Sequence, residues 1–274
     1  MGIFDGYLLV SDIDGTLYHN NKIPPANLEA IEYFKSEGGI FTIATGRGIR
    51  IAKQICKEAR VNAPVITTNG GVIYDGEQDK ILHSTYLSDA ACEMIKEAVR
   101  KYPRLGGLVT VDNEILTLND TPDVKKVRIY DKVEYIPVES CNKKWQKILY
   151  ILDDLDHLRE IKEYFQGVKL PEIRYVESAP NFYEVLPEGI SKATNFEKLR
   201  ELIPCDVKEI FAIGDYYNDK EMVLAADIGA VTAEAPDDMK AIADYVSTGV
   251  LDGAVADFIY YLKNYIQGKD ECNG

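Results

Sequence analysis

Residues 8–17, Leu-Leu-Val-Ser-Asp-Ile-Asp-Gly-Thr-Leu, constrain what this chain can fold into more than any other segment. An apolar run suited to a buried strand stops at two aspartates one residue apart. Side chains on a strand alternate faces, so Asp12 and Asp14 share a side if the extended geometry lasts through Asp14. Gly15 then permits a tight turn and leaves both carboxyl groups at the strand's carboxyl end, where open α/β sheets place their ligands. Two close carboxylates repel, and each favours protonation unless a cation or a donor offsets the repulsion. A divalent metal, a covalent nucleophile with an acid/base partner, or both would account for the pair. Taken alone, the segment is equally a solvated Asp-rich turn. It is not an EF-hand calcium loop, which wants Gly sixth and Glu twelfth. Counting from Asp12, those positions hold Leu17 and Ile23.

The same strand-to-polar junction recurs along the first part of the chain. A helical pattern over 26–37 places Leu28, Ile31 and Phe34 on one face and stops at Gly38-Gly39. A strand over 40–44 runs into Thr45-Gly46-Arg47, a helix over 49–59 follows, and a third strand over 65–67 runs into Thr68-Asn69-Gly70-Gly71. This β-α-β-α-β order predicts a parallel sheet with right-handed crossovers. The middle reads differently. Ser88 caps a helix over 89–102, and strands over 108–111 and 114–118 flank Asp112-Asn113 as a hairpin turn. Further strands are expected over 127–129, 147–152, 172–176 and 182–186, with a helix over 155–165. From Ser191 the α/β alternation resumes: a helix over 191–202, a strand over 209–213, a helix over 220–226, a strand over 228–231 and a last helix over 254–267. The polar tail 268–274 is expected to be mobile. The expected fold class is therefore α/β, a Rossmann-like parallel sheet built from 1–83 and 188–274. An α+β unit of 84–187 is inserted into it, entering near His83 and leaving near Pro187.

Charge narrows the partners. The 274 residues carry 45 acidic against 31 basic side chains, a formal charge of −14. Such a surface argues against general nucleic-acid binding, which needs a cationic footprint. A phosphorylated substrate must then be attracted locally, by a metal and a few cations. Cys56, Cys92, Cys141, Cys205 and Cys272 are odd in number and form no C-x-x-C pair, so neither a zinc site nor a disulfide framework is expected. No secretory signal or membrane span is read at the N-terminus, where Asp12 interrupts the only apolar candidate, and a reducing cytoplasm is the expected location.

Four polar clusters follow four expected strands: Asp12/Asp14, Thr45/Arg47, Asn69/Gly70 and the Gly-Asp-Tyr-Tyr-Asn-Asp run that holds Asp215 to Asp219. In a parallel sheet they converge on one edge. Asp12, Asp14 and Asp215 together offer a carboxylate and carbonyl cage suited to Mg²⁺. Lys192 is expected at a helix start, where its ammonium and free backbone N–H groups could hold a phosphate; without the other clusters it reads as a surface lysine.

The segments DIDGTL, ATGR with Thr45, EGISKATNFEKL with Lys192, and GDYYNDKEM resemble the four motifs of the haloacid dehalogenase superfamily. The long insertion, the TNGG segment and the DYVSTGVLDGAVADFI ending resemble its Cof-type sugar-phosphatase branch, whose inserted domain is a large α+β cap. Two small departures stand out: Ala193 follows the lysine where Gly is frequent, and Gly71 stands where Ala is common. The resemblance implies Asp12 as the nucleophile that becomes an aspartyl phosphate, and Asp14 as general acid and then base. It implies Thr45 and Lys192 as holders of the phosphoryl group, with Gly46 and Arg47 in the same loop and Asn218 touching phosphate or substrate; Arg47 binds phosphate or simply caps its turn. It implies Mg²⁺ on the Asp12 carboxylate, the Asp14 backbone carbonyl and the Asp215 carboxylate, with Asp219 supporting from close by. The substrate implied is a small phosphate ester, a sugar phosphate first. A phosphomutase and a non-catalytic phosphate- or metal-binding protein remain the alternatives. Tyr216 and Tyr217, beside the metal cluster, are expected to shape the pocket.

Overall fold

The computed structural model describes residues 2–112, 114–167 and 172–273. In chain order the first part contains β1 (Tyr7–Ser11), α1 (Pro25–Ser36), β2 (Ile40–Ile43), α2 (Ile49–Glu58), β3 (Val65–Thr67), β4 (Val72–Asp75) and β5 (Lys80–Ser84). The middle contains α3 (Asp89–Lys101), β6 (Gly106–Val111), β7 (Glu114–Leu118), α4 (Pro122–Tyr130), β8 (Lys147–Ile151), α5 (Leu155–Gly167), β9 (Ile173–Ala179) and β10 (Phe182–Pro187). The last part contains α6 (Phe196–Leu202), β11 (Glu209–Gly214), α7 (Lys220–Ala225), β12 (Ile228–Val231), α8 (Asp237–Lys240), β13 (Tyr245–Val246) and α9 (Ala254–Asn273).

The two flanking parts build one parallel sheet in the order β13-β12-β11-β1-β2. Strand alternation divides its apolar side chains between two cores. Leu9, Phe41, Phe211 and Ile213 pack with Ile31 and Phe34 of α1 and with Phe258 and Leu262 of α9. Leu8, Val10, Ile210 and Ala212 pack on the other side with Phe196 and Leu199 of α6 and Met222 of α7. Each fully buried Phe or Leu contributes roughly 1.5–3 kcal/mol of transfer free energy, so this double-sided burial is what holds the central strands rigid. The strand order reverses between β1 and β11, which makes the carboxyl ends of these two strands the switch point where α/β sheets hold ligands.

The middle elements form a second, antiparallel sheet in the order β7-β6-β8-β10-β9. One face packs Val109, Ile148, Tyr150 and Val185 against Ile95 of α3 and Leu158, Ile161 and Phe165 of α5. The other face presents Leu108, Ile115 and Leu149 to Val124 of α4, and to Ile51 of α2 from the parallel-sheet part. Trp145 and Tyr150 belong to the first of these cores and serve packing. No helix among the described residues is long and apolar enough to cross a membrane.

Several expectations are corrected. The strand expected over 127–129 is the end of α4. Pro122 opens that helix and the Thr121 hydroxyl accepts from the Val124 N–H at 3.3 Å, a capping signal that outweighs the strand preference of Val127 and Ile129. The strand 65–67 meets the parallel sheet only through the Ala44–Ile66 bridge; its ladder is antiparallel, in the order β3-β4-β5. Thr68 and Asn69, at φ 58° and 53°, reverse the chain there. The helix expected from Ser191 begins only at Phe196, because the Thr194 hydroxyl accepts from the Ser191 N–H at 2.8 Å and donates to the Gly189 carbonyl at 2.8 Å, folding 189–194 into a turn. The last helix continues through Asn273, well into the tail expected to be mobile, and Lys269 pairs with Glu209 at 2.6 Å. Gly274 lies outside the described residues, as does Asn113 of the expected hairpin turn; Asp112 beside it has φ 50°.

Candidate active site

Asp12 follows directly on β1, and its N–H donates to the Ile213 carbonyl at 2.9 Å, so the backbone ladder fixes it beside β11. The chain then turns tightly, with the Leu17 and Tyr18 N–H groups both donating to the Ile13 carbonyl, at 3.0 and 2.8 Å. Gly15 makes this possible at φ 78°, and a Cβ there would lie 2.3 Å from Asp215 Oδ2, so the glycine also leaves room for that carboxylate. Asp215 follows β11, and the Thr16 hydroxyl lies 3.4 Å from its Oδ1.

Lys192 is fully buried, and its ammonium donates to Asp12 Oδ1 at 2.5 Å and to Asp219 Oδ1 at 2.6 Å. The second oxygen of Asp219 accepts from the backbone N–H groups of Asp215, at 3.0 Å, and Tyr216, at 3.3 Å. Asp219 thus has both oxygens engaged and positions the lysine and the loop. Contrary to expectation, Lys192 lies in the turn before α6 and offers only its ammonium, without a helix N-terminus behind it. Burial opposes the lysine's charge, but Asp12 and Asp219 outweigh burial and hold the ammonium above its ordinary range. For Asp12, burial dominates: it raises the carboxyl to about 7 although Lys192 pulls it down, with Asp219 and Asp14 adding repulsion. Burial likewise raises Asp215, reinforced by Asp12 and Asp219.

Beyond burial, negative charge is in excess: Asp12, Asp215 and Asp219 face the ammonium of Lys192. One oxygen of each carboxylate lies within 4.8 Å of the others. Hard oxygen donors, buried and short of positive charge, fit Mg²⁺, which binds few protein oxygens and keeps the rest of its shell for water and phosphate.

Asp14, across from this cluster, is exposed and takes a two-pronged grip from Arg47: Nε to Oδ2 at 2.6 Å and Nη2 to Oδ1 at 2.7 Å. Arg47 Nη1 also reaches Asp131 Oδ1 of the second unit at 3.3 Å. Thr45 is buried, with its hydroxyl oxygen accepting from the Arg47 N–H at 3.1 Å and its own proton free for another acceptor. The Thr68–Gly70 turn braces this loop: the Asn69 N–H donates to the Thr45 carbonyl at 2.9 Å and the Thr68 N–H to the Arg47 carbonyl at 3.0 Å. Asn218 donates to Asn69 Oδ1 at 3.2 Å, tying the loop after β11 to the loop after β3. Asn195 donates to the Gly70 carbonyl at 2.5 Å, and a Cβ on Gly70, at φ 98°, would fall 1.9 Å from the Ser191 carbonyl oxygen. That close approach fixes the turn bearing Lys192.

All the expected site residues therefore converge at one sheet edge, below a cavity of about 590 Å³ that Asp12, Asp14, Gly46, Arg47, Asp215 and Asn218 help to line. Tyr216 and Tyr217 do not line it; Tyr217 instead borders a groove with Arg174 and Tyr175, so the expectation that the pair shapes the pocket is corrected. The residues that sequence reasoning missed come from the second unit. Lys147 on β8 and Glu184 on β10 form a buried ion pair, and Lys147 Nζ also donates to the Gly46 carbonyl at 2.6 Å. The signal was present: Lys147 opens an otherwise apolar strand and Glu184 lies inside one.

The sequence profile of the haloacid dehalogenase-like hydrolases matches residues 9–259. A 5-amino-6-(5-phospho-D-ribitylamino)uracil phosphatase of Bacillus subtilis is 25% identical over 257 residues, covering 92% of this chain and 94% of the relative. An HMP-PP phosphatase of Yersinia pseudotuberculosis is 26% identical over 243 residues, covering 85% and 86%. Among solved structures, a haloacid dehalogenase-like hydrolase from Bacteroides thetaiotaomicron superposes with a TM-score of 0.81 at 27% identity, covering 93% of this chain and 98% of that one. A subclass IIB sugar phosphatase shares the fold at a TM-score of 0.82 and 23% identity, with the same coverage.

Proposed function

This chain belongs to the haloacid dehalogenase-like hydrolases, and from that premise we propose that it is a Mg²⁺-dependent phosphatase of small phosphorylated metabolites, sugar phosphates first, that works through a phosphoryl group on Asp12. The observation that carries the reading is the Asp12 carboxylate, braced by the fully buried Lys192 ammonium, at the base of a cavity that Asp14 also lines. In the proposed reaction an Asp12 oxygen attacks phosphorus while the bond from phosphorus to the ester oxygen breaks. Asp14 gives that leaving oxygen its proton. Asp14 then takes a proton from water, whose oxygen attacks phosphorus and breaks the bond to Asp12, restoring the carboxylate. Lys192 and the Thr45 hydroxyl hold the transferring oxygens, and the Arg47 guanidinium joins them when substrate draws it from Asp14. The Asp12 and Asp215 carboxylates and the Asp14 backbone carbonyl would hold Mg²⁺, with Asp219 bracing them. When bound, the ion supplies charge neutralisation for the phosphoryl oxygens.

Within this reading, residues 84–187 act as a cap on a core of 1–83 and 188–274. The cap excludes bulk water and contacts the leaving group. The test is phosphate release from a panel of sugar phosphates and other phosphate monoesters, with Mg²⁺ and with chelator. Release that chelator abolishes and Mg²⁺ restores supports the proposal; release indifferent to metal contradicts it.

A further inference from the structure

Above Asp12, apolar and charged side chains line the cavity together. Leu108, Ile115, Leu149 and Phe182 of the antiparallel sheet and Ile51 of α2 supply the apolar surface. Asp123, Asp131, Asp153 and Glu184 share the lining with Arg47, Lys126 and Lys147, and Glu184 lies directly across from Leu149 in the register of β10 on β8. Every one of these cations is already committed. Arg47 grips Asp14 at 2.6 and 2.7 Å and touches Asp131 at 3.3 Å. Lys126 lies 2.6 Å from Asp153 and 3.5 Å from Asp123, two carboxylates to one ammonium. Lys147 is buried between Glu184 and the Gly46 carbonyl.

We infer that this cavity selects phosphate monoesters whose leaving group carries no second anion and turns an apolar face to the sheet. The phosphoryl group consumes the positive charge at the base of the site, through Lys192 and, once drawn from Asp14, through Arg47. A second phosphate or carboxylate on the leaving group would then meet carboxylates in excess and a cation available only by breaking an existing pair. Juxtaposed like charges repel, the more so where a bound substrate displaces water. An uncharged or cationic group meets no such penalty. Bisphosphates and phosphorylated acids are thereby disfavoured, and O-phosphates of alcohols and amino alcohols with a ring or alkyl face are favoured.

The inference rests on the phosphatase reading, and the test separates the two. Phosphate release is compared, with Mg²⁺ and the full chain, for 4-methylphenyl, 4-(aminomethyl)phenyl and 4-carboxyphenyl phosphate, which share one ester and differ in distal charge. The neutral and cationic esters are expected to exceed the carboxylate ester by about tenfold or more in kcat/KM. Asp153→Asn, which removes the nearer of the two carboxylates on Lys126, is expected to narrow that gap several-fold; Glu184→Gln repeats the measurement at the buried pair. A carboxylate ester cleaved as fast as the neutral one, by wild type, overturns the inference and leaves the phosphatase reading standing. No metal-dependent release from any of the three overturns both.

Discussion

Asp12 meets two opposed demands. Burial next to Asp219 and Asp14 drives its carboxyl up to about 7, whereas a nucleophile must be ionised. Lys192 supplies part of the compensation, and under the proposal Mg²⁺ at the remaining carboxylate oxygens would supply the rest. Asp12→Asn keeps the shape but replaces the carboxylate with an uncharged amide; turnover is expected to fall by about 10⁶-fold, the scale of loss of a single catalytic nucleophile, in the phosphate-release assay. Lys192→Met leaves two close carboxylates without their ammonium. Removing one partner of a buried pair costs roughly 3–5 kcal/mol, so urea unfolding in chelator is expected to show a loss of that size, and added Mg²⁺ to recover part of it. Gly15→Ala puts a methyl group 2.3 Å from Asp215 Oδ2 at a φ of 78°. Its expected signature is weaker Mg²⁺ affinity, read as a raised metal concentration for half-maximal activity, with saturating-metal turnover less affected. Unchanged metal dependence would show that Asp215 does not need the space that the glycine leaves.

At the scale of elements, the site was legible wherever a local pattern dictated the backbone and hidden wherever a distant partner decided it. The parallel strands before Asp12 and over 40–44 and 209–213 were readable because largely apolar runs bounded by turn residues allow little else in a sheet buried on both faces. Residues 127–129 misled because Val127 and Ile129 favour strands in isolation, while the signal that mattered, Thr121-Pro122, lay several residues upstream. Lys192 was identified, but its helix was not, because the Ser191–Thr194 turn is made by side-chain hydrogen bonds that periodicity does not record. Helix α4 brings Asp123, Lys126, Val127 and Tyr130 to the cavity wall, with Asp131 just after its end. Thr121→Ala removes its cap and is expected to destabilise the protein by about 1 kcal/mol in thermal or urea unfolding. It is also expected to raise KM more than it lowers kcat, because under the proposal α4, on the cavity wall, would face the leaving group and not the phosphoryl group.

Over the whole molecule, the two sheets meet through polar ties at the cavity: Lys147 to the Gly46 carbonyl, and Arg47 to Asp131. These couple the loop holding Thr45 to the unit that covers it, across more than 80 residues of sequence, and so no motif could have announced them. The Lys147–Glu184 pair is buried, with side chains 6% and 2% exposed. Lys147→Met alone strands the Glu184 carboxylate, with an expected loss of roughly 3–5 kcal/mol. Adding Glu184→Gln is expected to return much of it, a coupling that a double-mutant cycle in urea would read. Phosphoryl transfer through Asp12 is tested with Asp14→Asn and an aryl phosphate, whose phenolate leaves without an acid, so that only the second step, lacking its base, is held up. Rapid acid quenching of that variant with substrate and Mg²⁺, followed by peptide mass spectrometry, is expected to find the phosphoryl group on the peptide containing Asp12. It should be absent when Asp12→Asn is added. Continued phosphate release with no phosphoryl group on Asp12, or with the group on another residue, would contradict the account.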